Sequence, residues 1–382
     1  MTNPLRGSTA IVGVGHSALG KVPGWNSLEL MAQATRAALD DAGLTLADID
    51  GVCASTLYHF LPSLSAAEYL GIHPKWSGSE SVGGSSFMSY VLQATLAINA
   101  GLCETVLIAY GSNARSSGNL SGLIETPRFE AIYDLPIPMA GYAMATARHM
   151  YQYGTTREQL AQVAVSARRW AQLNPEATMR DELTIEKVLA APMICDPLTR
   201  YDCCLVSDGG AAIILMSAER ARALEKKSAY VLGVAGAHWH REISQMPDLT
   251  VTAATESSSG AYEMAGVTAK DVDVVELYDA FTINTVLFLE DLGFCSKGEG
   301  GAFIENGQIA PGGLLPVNTN GGGLSCVHPG MYGLFCLIEA ARQVRGDARG
   351  YQVKNAEIAI AHGNGGTLSH QCTTILGADT TI

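Results

Sequence analysis

The sequence predicts an α/β fold built from one unit used twice, and three observations carry that expectation. Residues 42–52 read AGLTLADIDGV and residues 265–275 read AGVTAKDVDVV, with six of eleven positions identical and two more exchanging one apolar residue for another. VLIAYGSN at 106–113 has a counterpart in IAIAHGNG at 358–365. Each half also has a glycine-rich turn before a long helical segment, at Val82–Ser86 and at Asn320–Gly330. A period near half the chain length means duplication of a whole unit rather than a solenoid of short repeats. The two turns, and the two loops after the matching strands, are therefore expected to meet at a pseudo-twofold axis, with the chemistry there.

The elements follow in order. Ala10–Val14 reads as a buried strand. Ser27 can cap a helix with apolar positions at Leu28, Met31, Ala32, Ala38 and Leu39, stopped by Gly43. Gly51–Ser55 is a second strand, and Trp76–Ser81 leads to the turn at Gly83–Ser86. Phe87–Ala100 is helical by pattern and delivers the strand Thr105–Tyr110. That order is α/β with a largely internal sheet. Residues 113–199 lack the repeat: a polar loop at Ser116–Ser121, prolines 127, 136 and 138, then helices around Tyr142–Tyr153 and Thr156–Asn174. An insertion of that size shapes a substrate pocket or forms a lid. The expected division is thus 1–112 with 200–228 as the first half, 113–199 as the insertion, and 229–382 as the second half.

Composition narrows the function. Hydrophobic residues make up 47% and charged ones 16%, with 41 glycines, which gives ample core for an enzyme. The 24 basic against 37 acidic residues leave −13, arguing against nucleic acid or an anionic membrane as partner. The nine cysteines lack zinc-type spacing, so no metal is expected, and many sit in apolar stretches as reduced core cysteines do. No signal peptide or membrane span is legible, so the cytoplasm is the expected location.

Candidate chemistry concentrates in the second half. Three consecutive glycines, 321–323, lead to His328-Pro329-Gly330; the proline keeps His328 out of a helix interior, on a loop where it can act as acid or base. The last strand runs into Ala361-His362-Gly363-Asn364-Gly365-Gly366, where His362 at a strand end and the glycine amides suggest an oxyanion site. Tyr278 and Asp279 flank the end of the strand after the second repeat, where α/β sheets place ligands. Gly84, Ser85 and Ser86 open the first-half helix; the serines are nucleophile candidates, although helix capping explains them as well. Cys203-Cys204 reads most simply as a buried pair of small residues.

Together the duplication, the His-Pro-Gly turn and the terminal Gly-Asn-Gly-Gly loop resemble the thiolase superfamily over the full length, nearest to its sterol-carrier-protein or lipid-transfer-like branch. The resemblance implies two βαβαβαββ halves in a five-layered α-β-α-β-α core, a homodimer, and acyl-coenzyme A thioesters as ligands, with no cofactor beyond the coenzyme A of the substrate. Thiolases carry a nucleophilic cysteine at the start of the first-half central helix; the resemblance puts that position within one residue of Gly84, and the segment Val82–Ser86 holds no cysteine. A second catalytic cysteine is replaced by His362. Tyr278-Asp279-Ala280-Phe281, the stretch Leu292–Gly301 and the Gly363–Gly366 end are similar to thiolase relatives that act as steroid side-chain-cleaving aldolases and pair with a DUF35 OB-fold protein in a heterotetramer.

The resemblance implies retro-aldol cleavage of a β-hydroxyacyl-CoA, with Tyr278 or Tyr332 as base or acid and His328 and His362 holding the enolate oxygen. Gly84, Ser85, Asp279, Gly363, Asn364 and Gly365 complete the expected site. Two alternatives stand beside it: a 3-ketoacyl-CoA thiolase with a displaced nucleophile such as Ser85 or Cys326, and a non-catalytic acyl-CoA or sterol-binding subunit.

Overall fold

A computed structural model describes residues 3–118 and 130–382. Pro127 and the polar loop beyond Gly118 lie outside the described residues.

The first half runs β1 (Thr9–His16), α1 (Ser27–Ala42), β2 (Gly51–Ala54), α2 (Pro62–Leu70), β3 (Trp76–Gly78), α3 (Ser86–Asn99) and β4 (Thr105–Ser112). Between this half and its last strand lie α4 (Ala114–Ser117), α5 (Met139–Tyr153), α6 (Arg157–Leu173), α7 (Ile185–Leu189) and a small hairpin, β5 (Met193–Cys195) with β6 (Leu198–Thr199). β7 (Gly209–Ser217) closes the half, and α8 (Ala218–Arg222) leads to the second. That half runs β8 (Ala229–His238), α9 (Ala254–Ala265), β9 (Val274–Leu277), α10 (Thr282–Asp291), α11 (Gly300–Ile304), α12 (Gly333–Arg345), β10 (Ile358–Gly365) and β11 (His370–Gly377).

The strands line up as β3-β2-β4-β7-β1-β8-β11-β10-β9. Within the sheet the halves pair through a short seam, where Ala10 and Ile11 face Tyr230 and Ala229. The second copy of the third strand has shrunk to one parallel bridge, Val275 to Val317. α1 packs on strands of the first half and α9 on strands of the second, while α3 and α12 touch strands of both halves and each other. This is the expected five-layered order, with two helices sandwiched between sheets.

The repeated segment is repeated in its hydrogen bonds. Gly43 and Gly266 end α1 and α9 in the left-handed conformation, at φ 68° and 66°, which glycine adopts without steric cost. Thr45 and Thr268 then donate their backbone amides to Asp48 and Asp271, each at 2.8 Å. The second aspartate of each pair clamps the start of a neighbouring strand: Asp50 accepts from the Thr105 amide at 2.8 Å, and Asp273 from that of Ile358 at 2.9 Å. That double duty explains why Asp-x-Asp occurs in both copies. One boundary differs from expectation: Asn26, not Ser27, caps α1, because Asn26 and Glu29 form a reciprocal capping box.

Candidate active site

A cavity of about 520 Å³ opens where the four loops meet. Gly83 and Gly84 come from the first glycine-rich turn and His328 and Gly330 from the second; Ala114 and Asn364 come from the ends of the matching strands. The halves approach closely here, since a Cβ built on Gly83 would lie 2.7 Å from the Gly366 nitrogen. The insertion supplies Pro138, Met139, Tyr142 and Ile194, and Phe281 adds to an apolar wall.

Tyr278 stands at the centre. Its hydroxyl lies 3.1 Å from Nε2 of His328 and donates more weakly to the Gly330 carbonyl at 3.4 Å. The rings of Tyr278 and His328 meet edge to face at 5.4 Å, and Tyr332 stacks on His328 at 6.1 Å. Burial pushes the Tyr278 phenol well above its ordinary range, with the nearby Cys204 and Tyr142 adding to the effect. Burial lowers His328 to about 4, so its ring is neutral at neutral pH. A protonated phenol beside a neutral imidazole can pass a proton in either direction. The His328 backbone is fixed by Ser207, whose hydroxyl accepts from the His328 amide at 2.9 Å.

The predicted residues divide. Tyr278, His328, Gly84 and Asn364 line the cavity; Tyr332, His362, Ser85, Asp279, Gly363 and Gly365 do not. Tyr332 is fully buried, and its hydroxyl donates to Oδ1 of Asn320 at 3.0 Å, so it buttresses His328. Asp279 accepts from the Gly323 amide at 2.6 Å and from that of Leu324 at 3.4 Å, holding the glycine turn that leads to His328. Burial raises its carboxyl to about 7 against those amides.

His362 does not line the cavity. β10 continues through Gly365, which places His362 inside the ladder opposite Thr373 and not at a strand end. Its ring packs against Phe288 at 4.5 Å and bonds Thr373 and Gln371, and burial lowers it to about 3. Gly363 and Gly365 are ladder residues as well, and their role is close packing: a Cβ on Gly363 would lie 2.6 Å from Sδ of Met88. Ser85 is buried, its hydroxyl 2.8 Å from Nδ1 of His370. Cys326 is buried too, and burial pushes its thiol up. Neither displaced-nucleophile candidate reaches the cavity.

Sequence reasoning missed Tyr142 as a site residue and set Cys203 and Cys204 aside, although all three line the cavity. Burial raises the Tyr142 phenol to about 12. Arg200, at the rim, is the only lysine or arginine among the described lining residues.

Fold and site together define a duplicated α/β protein with a buried, largely apolar cavity between its two halves. Residues 235–378 match the thiolase C-terminal domain-like family. The chain is 35% identical to an acetyl-CoA acetyltransferase of Methanothermobacter thermautotrophicus, over 94% of this chain and 96% of that one. It is 32% identical to a 17-hydroxy-3-oxo-4-pregnene-20-carboxyl-CoA lyase of Mycobacterium tuberculosis, over 90% and 92%. The solved Ltp2-ChsH2(DUF35) aldolase superposes with a TM-score of 0.89 at 32% identity, over 98% of this chain and 99% of that one. The chain belongs to the thiolase superfamily. Its relatives there include acetyltransferases and carbon–carbon lyases of the aldolase type. No helix among the described residues is long and apolar enough to cross a membrane.

Proposed function

We propose that the chain cleaves the side chain of a steroid carried as a β-hydroxyacyl-CoA thioester, by a retro-aldol reaction. The observation that carries this reading is at Gly84, within one residue of where the resemblance puts the thiolase cysteine: the phenol of Tyr278 fills the space a side chain there would need. A retro-aldol step needs a proton acceptor for the β-hydroxyl and donors for the thioester enolate, but no nucleophile. The β-hydroxyl gives its proton through the Tyr278 hydroxyl to Nε2 of His328. The bond between the α and β carbons breaks, leaving a carbonyl on the released fragment and an enolate on the thioester. The same dyad then returns the proton to the α carbon. Atoms and charge balance without oxidant, reductant or cofactor, the coenzyme A remaining part of the substrate.

The apolar wall of Met139, Ile194, Leu205 and Phe281 suits a steroid skeleton, and residues 113–199 serve as the pocket-shaping insertion between the halves 1–112 with 200–228 and 229–382. Likeness to an aldolase solved with a DUF35 protein supports such a partner; the assembly that goes with this reading is a heterotetramer built on a homodimer of the chain. The net charge and the lack of a spanning helix among the described residues accord with a cytoplasmic enzyme.

Product analysis tests the reading. The chain, alone and with a co-expressed DUF35 protein, is supplied with 17-hydroxy-3-oxo-4-pregnene-20-carboxyl-CoA and no free coenzyme A. Release of an oxo steroid and a shortened acyl-CoA is expected. Cleavage of a 3-ketoacyl-CoA that requires free coenzyme A, with no retro-aldol product, would put a thiolase in its place.

A further inference from the structure

The retro-aldol reading uses His328, expected to hold the enolate oxygen, as the proton acceptor instead, and His362 lies outside the cavity, so the enolate oxygen needs other partners. A buried chain of hydrogen bonds behind the cavity supplies one, and its polarity can be worked out from one end. The Gly366 carbonyl can only accept, and Tyr142 donates to it at 3.2 Å. The Tyr142 oxygen is therefore free to accept, and Nδ2 of Asn364 donates to it at 2.8 Å. Oδ1 of Asn364 then faces Nε2 of Gln371 at 2.8 Å. Oε1 of Gln371 in turn faces Nε2 of His362 at 3.0 Å, which places the proton of that imidazole on Nε2. Nδ1 of His362 is left to accept from the Thr373 hydroxyl at 2.9 Å. Every amide orientation and the tautomer follow from the Gly366 carbonyl.

We infer that Tyr142 and Asn364 are the oxyanion donors of this site, with Gln371 and His362 as positioning residues that fix which face of the Asn364 amide meets the cavity. Both donors line the cavity with Tyr278. No other acceptor among the described residues takes the second N–H of Asn364. The Tyr142 bond to Gly366 is long for an O–H···O pair, so its proton can turn to a stronger acceptor, as a thioester enolate would be. Tyr142 is also held in place: its ring stacks on Phe281 at 4.2 Å, three residues beyond Tyr278. Burial keeps its phenol protonated at neutral pH, as a donor requires. Preorganised donors of this kind raise kcat rather than ground-state affinity.

The assignment rests on the aldolase reading, and the test separates the two. The full chain, in the form that cleaves the pregnene-carboxyl-CoA substrate, is compared with Tyr142→Phe, Asn364→Ala and Gln371→Met. Tyr142→Phe and Asn364→Ala are each expected to lower kcat about 100-fold with KM held within about twofold. They should also stop exchange of the α-protons of the shortened acyl-CoA in heavy water, which reports the enolate alone. Gln371→Met is expected to lower kcat about tenfold with KM unchanged, a split that mere loosening of the fold would not give. Wild-type kcat and wild-type exchange in Tyr142→Phe, the mildest of the three changes, overturn the assignment and leave the aldolase standing. A wild-type chain that cleaves no β-hydroxyacyl-CoA overturns both.

Discussion

Tyr278 occupies the volume that any side chain at Gly84 would need. A Cβ built there would lie 2.6 Å from Cζ and 2.8 Å from the hydroxyl oxygen of the phenol, and nearer still to Cε2. The tip of a flexible side chain could move aside, but this ring is packed on His328 and Tyr332. A nucleophilic cysteine at position 84 and a tyrosine at 278 are thus alternatives. Gly84→Cys is expected to lose retro-aldol activity by displacing Tyr278 and to gain no coenzyme A-dependent thiolysis. Overpacking of this kind costs about 1–3 kcal/mol, so the variant should fold with a lowered melting temperature. Thiolysis of a 3-ketoacyl-CoA by Gly84→Cys would show that the ring yields.

Tyr278→Phe removes one oxygen and keeps the ring. Loss of a positioned acid/base group costs about 10²–10⁴ in rate, so kcat is expected to fall by that order while the thermal midpoint stays near wild type. Its immediate loss is the 3.1 Å bond to His328. Steady-state kinetics with a melting curve decide it; retained kcat would move the proton acceptor elsewhere.

The pH profile follows from the buried imidazole. His328 must be neutral to accept a proton, and burial holds it at about 4 instead of the ordinary 6.5. At pH 5.5 an exposed histidine would be about 90% protonated, whereas His328 stays neutral. The acid limb of kcat/KM assigned to this residue should therefore lie near 4. Asp279, raised to about 7, titrates near neutrality behind the site, where its carboxylate holds the turn leading to His328. Any inflection near 7 should disappear in Asp279→Asn, and one near 6.5 surviving in that variant would mean that His328 is solvated.

The sequence made some of this legible, and the reasons are local. The Asp-x-Asp repeat could be read because each aspartate bonds within a few residues or to the next strand, so one short pattern records the whole contact. Tyr278 and His328 were visible because a strand end and a His-Pro turn place them without help from the insertion. His362 was misplaced because the glycines after it look like a turn, although the strand runs on to Gly365 and needs them for close approach to α3. Tyr142 left no signal at all. It comes from an insertion helix with no repeat to compare, and it meets Asn364 only across 222 residues of chain.

That same insertion helix yields a prediction about how the site is held. On α5, two turns beyond Tyr142, His149 places Nε2 3.1 Å from Oε1 of the fully buried Glu290 carboxylate on α10. Lys297 reaches the other oxygen at 3.0 Å, and the Gly300 amide donates to Oε1 at 2.8 Å. Burial works to raise the Glu290 carboxyl, yet His149 and Lys297 bring it below its ordinary value, so the group is ionised and compensated. Glu290→Ala would leave Nε2 of the buried His149 without its partner and strip one of the two carboxylates from Lys297, which keeps Asp291 and the Thr250 carbonyl. Breaking one side of such a network costs about 3–5 kcal/mol, a loss of several degrees in melting temperature for a chain of this size. Glu290→Gln keeps an acceptor and should cost less. Because α5 also carries Tyr142, Glu290→Ala should lower kcat even at temperatures where it remains folded, and Glu290→Gln should recover most of that loss. Equal kcat in the alanine variant and the wild type below the melting transition would mean that Phe281 stacking alone holds Tyr142 in the cavity.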